Sequence, residues 1–359
     1  MEFLAAIGVL CSVGLALSLL LYAADKWLGD YGTPTINVND EEPFTVEGGG
    51  TLLDALYGKR IFIPSACGGK GTCGFCKVAV AEGGGPLLPT EEPFLTPEEI
   101  KADVRLACQL KVKNDLVVKV KPEFLKVQEY RARVTSSTRL TPDTKEIRME
   151  LVEPKEIEFK PGQYVQVIVP GSDEFRAYSV SSPPEEKSVV ELIVRIIPGG
   201  LGSTYLHWVE PGDEVRFTGP YGDFELSEDE ATELVFVGGG CGMAPIKSII
   251  NYVYKKWPHR KGTLFFGARS AEDVYYLDEY EKLRKEHPEF AVHYALSEPK
   301  PDDAWDGDTG FIHTSVETRL SEGKKKQAFL CGPPPMVEAT MRVLKSKGMG
   351  EDEIFYDKF

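Results

Sequence analysis

Cys67-Gly68-Gly69-Lys70-Gly71-Thr72-Cys73-Gly74-Phe75-Cys76, completed by Cys108, decides how this chain is read. Three thiols this close together can wrap one small inorganic centre only if the loop bends sharply and brings its backbone near. Gly68, Gly69, Gly71 and Gly74 permit the bend, because glycine reaches positive φ at little steric cost, and loop amides are then free to donate toward sulfur. The plant-type two-iron spacing is C-x4-C-x2-C with a distant fourth cysteine; here the first gap is five residues. Zinc ligands usually come as two separated pairs, whereas these are three in one loop and one in Leu106-Ala107-Cys108-Gln109-Leu110. The pattern therefore predicts a two-iron, two-sulfur cluster on Cys67, Cys73, Cys76 and Cys108, ahead of a zinc site or a set of buried free thiols.

A chain of 359 residues is too long for one small core and implies two or three domains. Its net charge of -15 argues against nucleic acid, since phosphate binding needs a basic face. Cys11, Cys241 and Cys331 are left over and scattered, which suits a reducing compartment better than a disulfide framework.

Residues 3–24 carry no charge. About 20 residues rising about 1.5 Å each cover a hydrocarbon layer of roughly 30 Å, so this run predicts a transmembrane anchor within residues 1–29. Tyr22 and Trp27 would lie at the interface with Lys26 just beyond. A cleaved signal needs a basic start, and Glu2 is the one charge before the apolar run. A buried core helix would show a polar stripe, which the run lacks. Lys26 against Glu2 favours an outside N-terminus and a cytoplasmic body, and the expected location is the inner membrane, crossed by a single pass.

Residues 30–122 read as a small β-grasp-like domain. Strands are expected at 35–38, 44–46, 77–81 and 116–120, with a turn at Asn39-Asp40 and one helix opened by Thr51. Residues 86–97 read as loop. A core this small would lean on its cluster for stability.

From Tyr130 the texture becomes strands separated by Pro and Gly turns: 130–135, 146–151, 164–169, 177–180, 189–196 and 214–218. Residues 123–227 are thus expected to close as an antiparallel barrel. Within it, Arg176-Ala177-Tyr178-Ser179 places Arg176 and Tyr178 on one strand face. A flavin needs a cation at its phosphate, an aromatic against its ring and a hydroxyl near N5. Alone, the tetrapeptide reads more readily as an ordinary strand. Gly199-Gly200-Leu201-Gly202-Ser203-Thr204 shifts the balance, since it leads into a helix over 205–208 whose free amides suit a pyrophosphate. Gly202, Ser203 and Thr204 join the candidate flavin residues.

Residues 228–359 alternate strand and helix, which predicts a doubly wound parallel α/β sheet with its ligand crevice at the strand ends. The apolar strand 233–237 runs into Gly238-Gly239-Gly240-Cys241-Gly242-Met243-Ala244-Pro245 and a helix from Ile246, with Pro245 at its first position. Gly239, Gly240, Gly242, Met243 and Pro245 are candidate nicotinamide-cofactor residues. A later strand ends in Cys331-Gly332-Pro333. There Cys331 reads equally as a thiol against the nicotinamide or as apolar packing, while Cys241 reads as filler. Arg269 suits a 2'-phosphate, yet Glu272 and Asp273 behind it would repel one.

Taken in order, these motifs resemble the ferredoxin reductase superfamily. With the anchor and the preceding cluster domain they look like the F subunits of sodium-translocating NADH:quinone oxidoreductases. The most telling pieces are Ser65-Ala66-Cys67, Arg176-Ala177-Tyr178-Ser179, Gly240-Cys241-Gly242-Met243-Ala244-Pro245, Gly267-Ala268-Arg269-Ser270 and Cys331-Gly332-Pro333-Pro334. The resemblance implies FAD, with Arg176 at its phosphates, Tyr178 on its ring and Ser179 near N5. It also implies NADH, its nicotinamide beside Cys331, and a C-terminal aromatic, here Phe359, over the flavin. Membrane subunits of a respiratory complex would be the partners. Two departures leave open membership of the sodium pump itself or of a shorter branch serving another membrane acceptor: only residues 170–175 precede the flavin tetrapeptide where the family carries a long insertion, and no glycine follows Phe359.

NADH gives up a hydride while the cluster takes single electrons, and a flavin between them can do both. The expected activity is therefore an NADH:quinone oxidoreductase relay from NADH through FAD to the cluster and on to a membrane acceptor. The reductase component of an oxygenase is the nearest alternative, and a non-enzymatic redox sensor or electron carrier the alternative of another class.

Overall fold

The computed structural model describes the backbone of residues 2–28, 31–172, 174–222, 224–322 and 325–358, and places them in two compact units, Met1–Val127 and Gln128–Phe359.

The first unit opens with α1 (Glu2–Leu28). Its described side chains, at 7–8 and 10–22, are exposed, among them Leu10, Leu15, Leu20 and Tyr22. Among the described residues no helix is long and apolar enough to cross a membrane. The expected span of 3–24 includes side chains outside the described set, at 3–6, 9, 23 and 24, as do Lys26 and Trp27.

The rest of this unit is a five-stranded mixed sheet. In chain order it runs β1 (Thr35–Val38), β2 (Phe44–Thr45), α2 (Leu52–Gly58), β3 (Lys77–Glu82), α3 (Pro97–Lys101), β4 (Val104–Leu106) and β5 (Leu116–Lys119). The sheet order is β2-β1-β5-β3-β4, with β1 and β5 parallel. Thr51 caps α2 by accepting from the amide of Asp54 at 3.1 Å, and Leu52, Leu53 and Leu56 are buried with Ile36 and Val118. Residues 86–97 are not simple loop. They hold a 3-10 turn at Glu92–Phe94 and lead into α3, which Thr96 and Glu99 open with a capping box. Sequence reading passed over both because the prolines dominate that stretch.

The second unit begins with a six-stranded antiparallel sheet: β6 (Gln128–Thr141), β7 (Thr144–Glu153), β8 (Tyr164–Ile168), β9 (Phe175–Ser179), β10 (Val189–Arg195) and β11 (Glu214–Tyr221). The order is β10-β7-β6-β11-β8-β9, and a bridge between Val180 and Leu192 joins its two edges. Alternation fills the inside: Tyr130, Ala132 and Val134 from β6 meet Ile147, Met149 and Leu151 from β7. Helix α4 (Leu201–Trp208) packs against this sheet, beginning at Leu201 rather than at Tyr205. Gly200 takes the cap, so Gly202, Ser203 and Thr204 lie inside the first turn.

Six parallel strands complete the unit. They are β12 (Glu233–Gly239), β13 (Gly262–Ala268), β14 (Phe290–Leu296), β15 (Asp308–Thr309), β16 (Lys326–Gly332) and β17 (Ile354–Lys358), in the order β15-β14-β13-β12-β16-β17. Helices α5 (Met243–Lys256), α6 (Leu277–Glu286), α7 (Ile312–Arg319) and α8 (Pro334–Ser346) lie between them. Every residue of β12 and β16 is buried, as expected of strands covered on both faces. Leu234, Phe236 and Phe329 go to one hydrophobic layer, and Val235, Val237 and Leu330 to the other. The chain leaves β12 for β13 on one side and reaches β16 on the other, which makes the ends of β12 and β16 the switch point.

Candidate functional site: a cysteine loop and a dinucleotide cleft

In the first unit the loop between α2 and β3 brings three cysteines to the turn after β4, where Cys108 stands. The sulfurs fall into two pairs. Cys67 and Cys73 are 3.4 Å apart, and Cys76 and Cys108 hydrogen-bond to each other. Among the described residues no three His, Cys, Asp or Glu converge as a single metal ion would require. Two pairs suit two irons, each taking two thiolates. The 3.4 Å separation is near the edge of about 3.8 Å that a tetrahedral centre with metal–sulfur bonds of about 2.3 Å would set.

The hydrogen bond with Cys73 pulls the Cys67 thiol well below its usual range, and that with Cys76 lowers Cys108. Within each pair the two sulfurs therefore differ in how readily they give up a proton. Amides of Thr72 and Cys73 donate to Cys67, that of Phe75 to Cys73 and that of Gly71 to Cys108, so most of the donors are not the glycines singled out in the sequence. The glycines shape the path: Gly74 has φ of +71°, and a Cβ there would lie 2.8 Å from the Phe94 ring. Behind Cys108, Glu91 is fully buried and grips Arg105 at 2.6 Å while accepting from the amide of Leu106 at 2.8 Å. Arg105 also donates to the carbonyl of Gly84.

In the second unit β9 carries Arg176, Ala177, Tyr178 and Ser179. Tyr178 is half-buried, and its burial raises the hydroxyl pKa. A Cβ on Gly202 would lie 2.7 Å from the Tyr178 hydroxyl and 2.8 Å from Arg176 Cγ. Glycine therefore lets the start of α4 press directly onto the two residues expected to hold a flavin. Arg176 pairs with Glu174 and donates to the Phe175 carbonyl at 2.7 Å. Ser203 differs from expectation. Its hydroxyl accepts from the Ile197 amide at 3.1 Å, closing the turn before α4. The Thr204 amide likewise bonds the Gly200 carbonyl at 3.0 Å. Ser179 is buried at the end of β9.

The glycine turn after β12 is a 3-10 turn, Gly240–Gly242, and α5 starts at Met243 rather than at Ile246. Pro245 is the third residue of the helix, not the first. The proline is tolerated there because the first four helical amides have no internal partner. A Cβ on Gly242 would come within 2.2 Å of the Cys331 carbonyl, so the turn and the end of β16 touch backbone to backbone. Cys331 is fully buried, and burial pushes its thiol up. Met243 is buried too, while Pro333 caps α8 after Gly332. Phe359, expected over the flavin, lies outside the described residues.

A cleft of about 410 Å³ opens at these strand ends. Of the expected residues it is lined by Gly239, Gly240, Arg269 and Pro333; Cys331 and Met243, both buried, and Gly242 are not part of that lining. Arg269 faces Asp273 at 3.6 Å and Asp143 at 4.0 Å, so carboxylates already engage it, which disfavours a 2'-phosphate.

Four features escaped the sequence. Arg195, at the end of β10, donates to Asp143 at 2.7 Å in the turn between β6 and β7, and both line the cleft. Phe311 is 68% exposed on its rim and stacks on His313. Asp357 pairs in register with Cys331, and burial raises its carboxyl to about 6. Cys241 interacts electrostatically with Tyr178, Arg195 and Cys331, so it stands where the flavin strand and the nicotinamide turn meet. None has a local signal, except that Arg195 is the charged residue that ends the mostly buried strand β10.

Three family models match the chain: a 2Fe-2S iron-sulfur cluster binding domain over residues 36–113, an oxidoreductase FAD-binding domain over 131–226 and an oxidoreductase NAD-binding domain over 236–342. The F subunit of the Na(+)-translocating NADH-quinone reductase of Neisseria gonorrhoeae is 36% identical over 404 aligned positions, covering 100% of both chains. That of Pseudomonas aeruginosa is 36% identical over 402, covering 100% of this chain and 98% of the relative. Alignments of 404 and 402 positions against 359 residues mean that these relatives carry segments this chain lacks. Among solved structures, the Amycolatopsis cytochrome P450 reductase GcoB is 33% identical with a TM-score of 0.74, covering 91% of this chain and 99% of that one. The ferredoxin reductase of carbazole 1,9a-dioxygenase is 26% identical with a TM-score of 0.70, covering 91% and 98%.

Proposed function

Because the chain belongs to the family formed by the F subunits of Na(+)-translocating NADH-quinone reductases, we propose that it is the NADH-oxidising subunit of a membrane complex of that kind. Its cofactors are FAD and a 2Fe-2S cluster, and its electron donor is NADH. When bound, the flavin supplies the conversion between a two-electron donor and a one-electron carrier.

The chain's own residues supply geometry. Arg176 and the first turn of α4 would hold the flavin's diphosphate, Tyr178 would lie against its ring and Ser179 would offer a hydroxyl at the ring edge. The turn Gly240–Gly242, Arg269 and Pro333 would hold the dinucleotide, with Cys331 behind the nicotinamide. Cys67 with Cys73, and Cys76 with Cys108, would each hold one iron. The domain division at 30–122, 123–227 and 228–359 follows the same modules. An all-round apolar, exposed helix face at 7–8 and 10–22 is the kind of surface that lipid covers, which supports α1 as the anchor; the charge difference between Glu2 and Lys26 supports a cytoplasmic body. Quinone reduction and sodium translocation would belong to the assembled complex and its membrane subunits.

The observation that carries this reading is the sorting of four cysteines into two sulfur pairs on a chain that also builds a dinucleotide cleft. Anaerobic NADH titration of the membrane-purified protein tests it: flavin absorbance should bleach and the cluster's reduced signal should follow. Purified protein with neither flavin nor iron would overturn it. A second reading, a soluble oxygenase reductase, draws on the likeness to the P450 reductase over 91% of this chain. Recovery of the full-length chain in the soluble fraction, without membrane subunits, would favour that one.

A further inference from the structure

A buried ionic cluster joins the barrel strands to the helices of the parallel sheet. Lys247, one helical turn into α5, reaches Glu191 of β10 at 2.6 Å and Glu146 of β7 at 3.0 Å. Its ammonium is 3.2 Å from the Tyr276 hydroxyl and 4.3 Å from that ring's centroid. Tyr276 donates in turn to Glu146. Glu191 also accepts from Ser181 at 3.0 Å and from Arg148 at 3.2 Å. One residue further along α5, Ser248 donates to the Ser182 carbonyl at 2.7 Å.

The placement is specific. Lys247 stands four residues after Met243, which opens α5 at the glycine turn. Ser181 and Ser182 stand two and three residues after Ser179, which ends the flavin strand. The cluster thus ties the helix that begins at the nicotinamide turn to the chain just past the residue expected at flavin N5.

Buried ion pairs are weak stabilisers, because desolvation consumes most of their mutual attraction, and apolar replacements are often neutral. What such a cluster does well is fix one arrangement against its neighbours. We infer that Lys247, held between Glu191 and Glu146, is a positioning residue that sets the register of the nicotinamide turn over the flavin strand. The inference rests on the proposed NADH and flavin sites. Bleaching of wild-type flavin by NADH tests those sites; the variants below test the register.

The experiment is stopped-flow reduction of the FAD-loaded full-length protein by NADH, reading the limiting rate, the NADH dissociation constant and the long-wavelength charge-transfer absorbance. In Lys247→Met the limiting rate should fall about 10- to 100-fold, the scale of a misplacement of about 1 Å. NADH affinity should stay within about threefold, the charge-transfer band should weaken and Lys247→Arg should restore most of the rate. Lys256→Met, at the far end of the same helix, breaks an exposed pair with Glu228 of the segment before β12 and should leave all three readings unchanged. If Lys247→Met does not retain flavin, the triple variant Glu146→Gln, Glu191→Gln, Lys247→Met removes the unpaired carboxylates and should fold yet still reduce slowly. A wild-type limiting rate in either folded variant, or a loss confined to NADH affinity, overturns the inference.

Discussion

The cluster loop and the dinucleotide cleft are built in opposite ways. Three of the four cysteines lie within residues 67–76, and the loop's own glycines and amides complete their surroundings. The cleft draws its lining from the turn between β6 and β7, the end of β10 and the ends of several parallel strands, spanning 141–336 in sequence. A site made by one loop fails when one ligand or one support is removed. A site made by assembly loses affinity or alignment by degrees.

The sharpest way to break this contrast is Cys108→Ser. It should abolish the cluster's visible absorbance and electron delivery beyond the flavin, while NADH still bleaches the flavin at close to the wild-type rate. Loss of bleaching as well would show the two sites to be interdependent. Next in size is Glu91→Ala, which strands Arg105, buried at 6% side-chain exposure, without its carboxylate. Removing one partner of a buried pair costs about 3–5 kcal/mol, so denaturant should unfold the cluster domain earlier and release its iron. Iron retention at the wild-type midpoint would contradict the support assigned to Glu91.

On the assembled side, Gly202→Val should weaken FAD binding roughly tenfold, the cost of overpacking a close contact, with iron content unchanged. Fluorescence of released flavin reads this directly. The smallest effect concerns Asp357. Burial lifts its carboxyl from an ordinary 3.8 to about 6, so between those values the folded protein holds a proton that the unfolded chain has lost. Stability should therefore fall as pH rises through that window and level off above it. Asp357→Asn should flatten that part of the melting-temperature profile; an unchanged slope would place the proton elsewhere.

The same contrast explains what the sequence made legible. The four cysteines announced a two-iron, two-sulfur centre because spacing and chemistry lie side by side in the chain; their sorting into two pairs appears only in the fold. The parallel sheet was legible in runs such as 234–237, which are apolar on both faces and so demand cover on both. The start of α5 was misplaced by three residues, since Pro245 reads as a first helical position although any of the first three suits it. Asp143, Arg195 and Asp357 stayed invisible because each takes its meaning from a neighbour more than 25 residues away that pairing and crossover bring close. Cys241 read as filler, and only the fold sets it beside Tyr178 and Cys331.

Asp143 accepts from Arg195, Thr141 and Thr144 and leans toward Arg269, at the wall of the cleft. A diphosphate arriving there meets guanidinium groups whose charge an internal carboxylate already balances. Entry is then an exchange of partners, and departure is assisted by a carboxylate waiting to take the arginines back. A pocket arranged in this way is suited to rapid turnover of a visiting dinucleotide, in contrast to the permanent lodging of a prosthetic group.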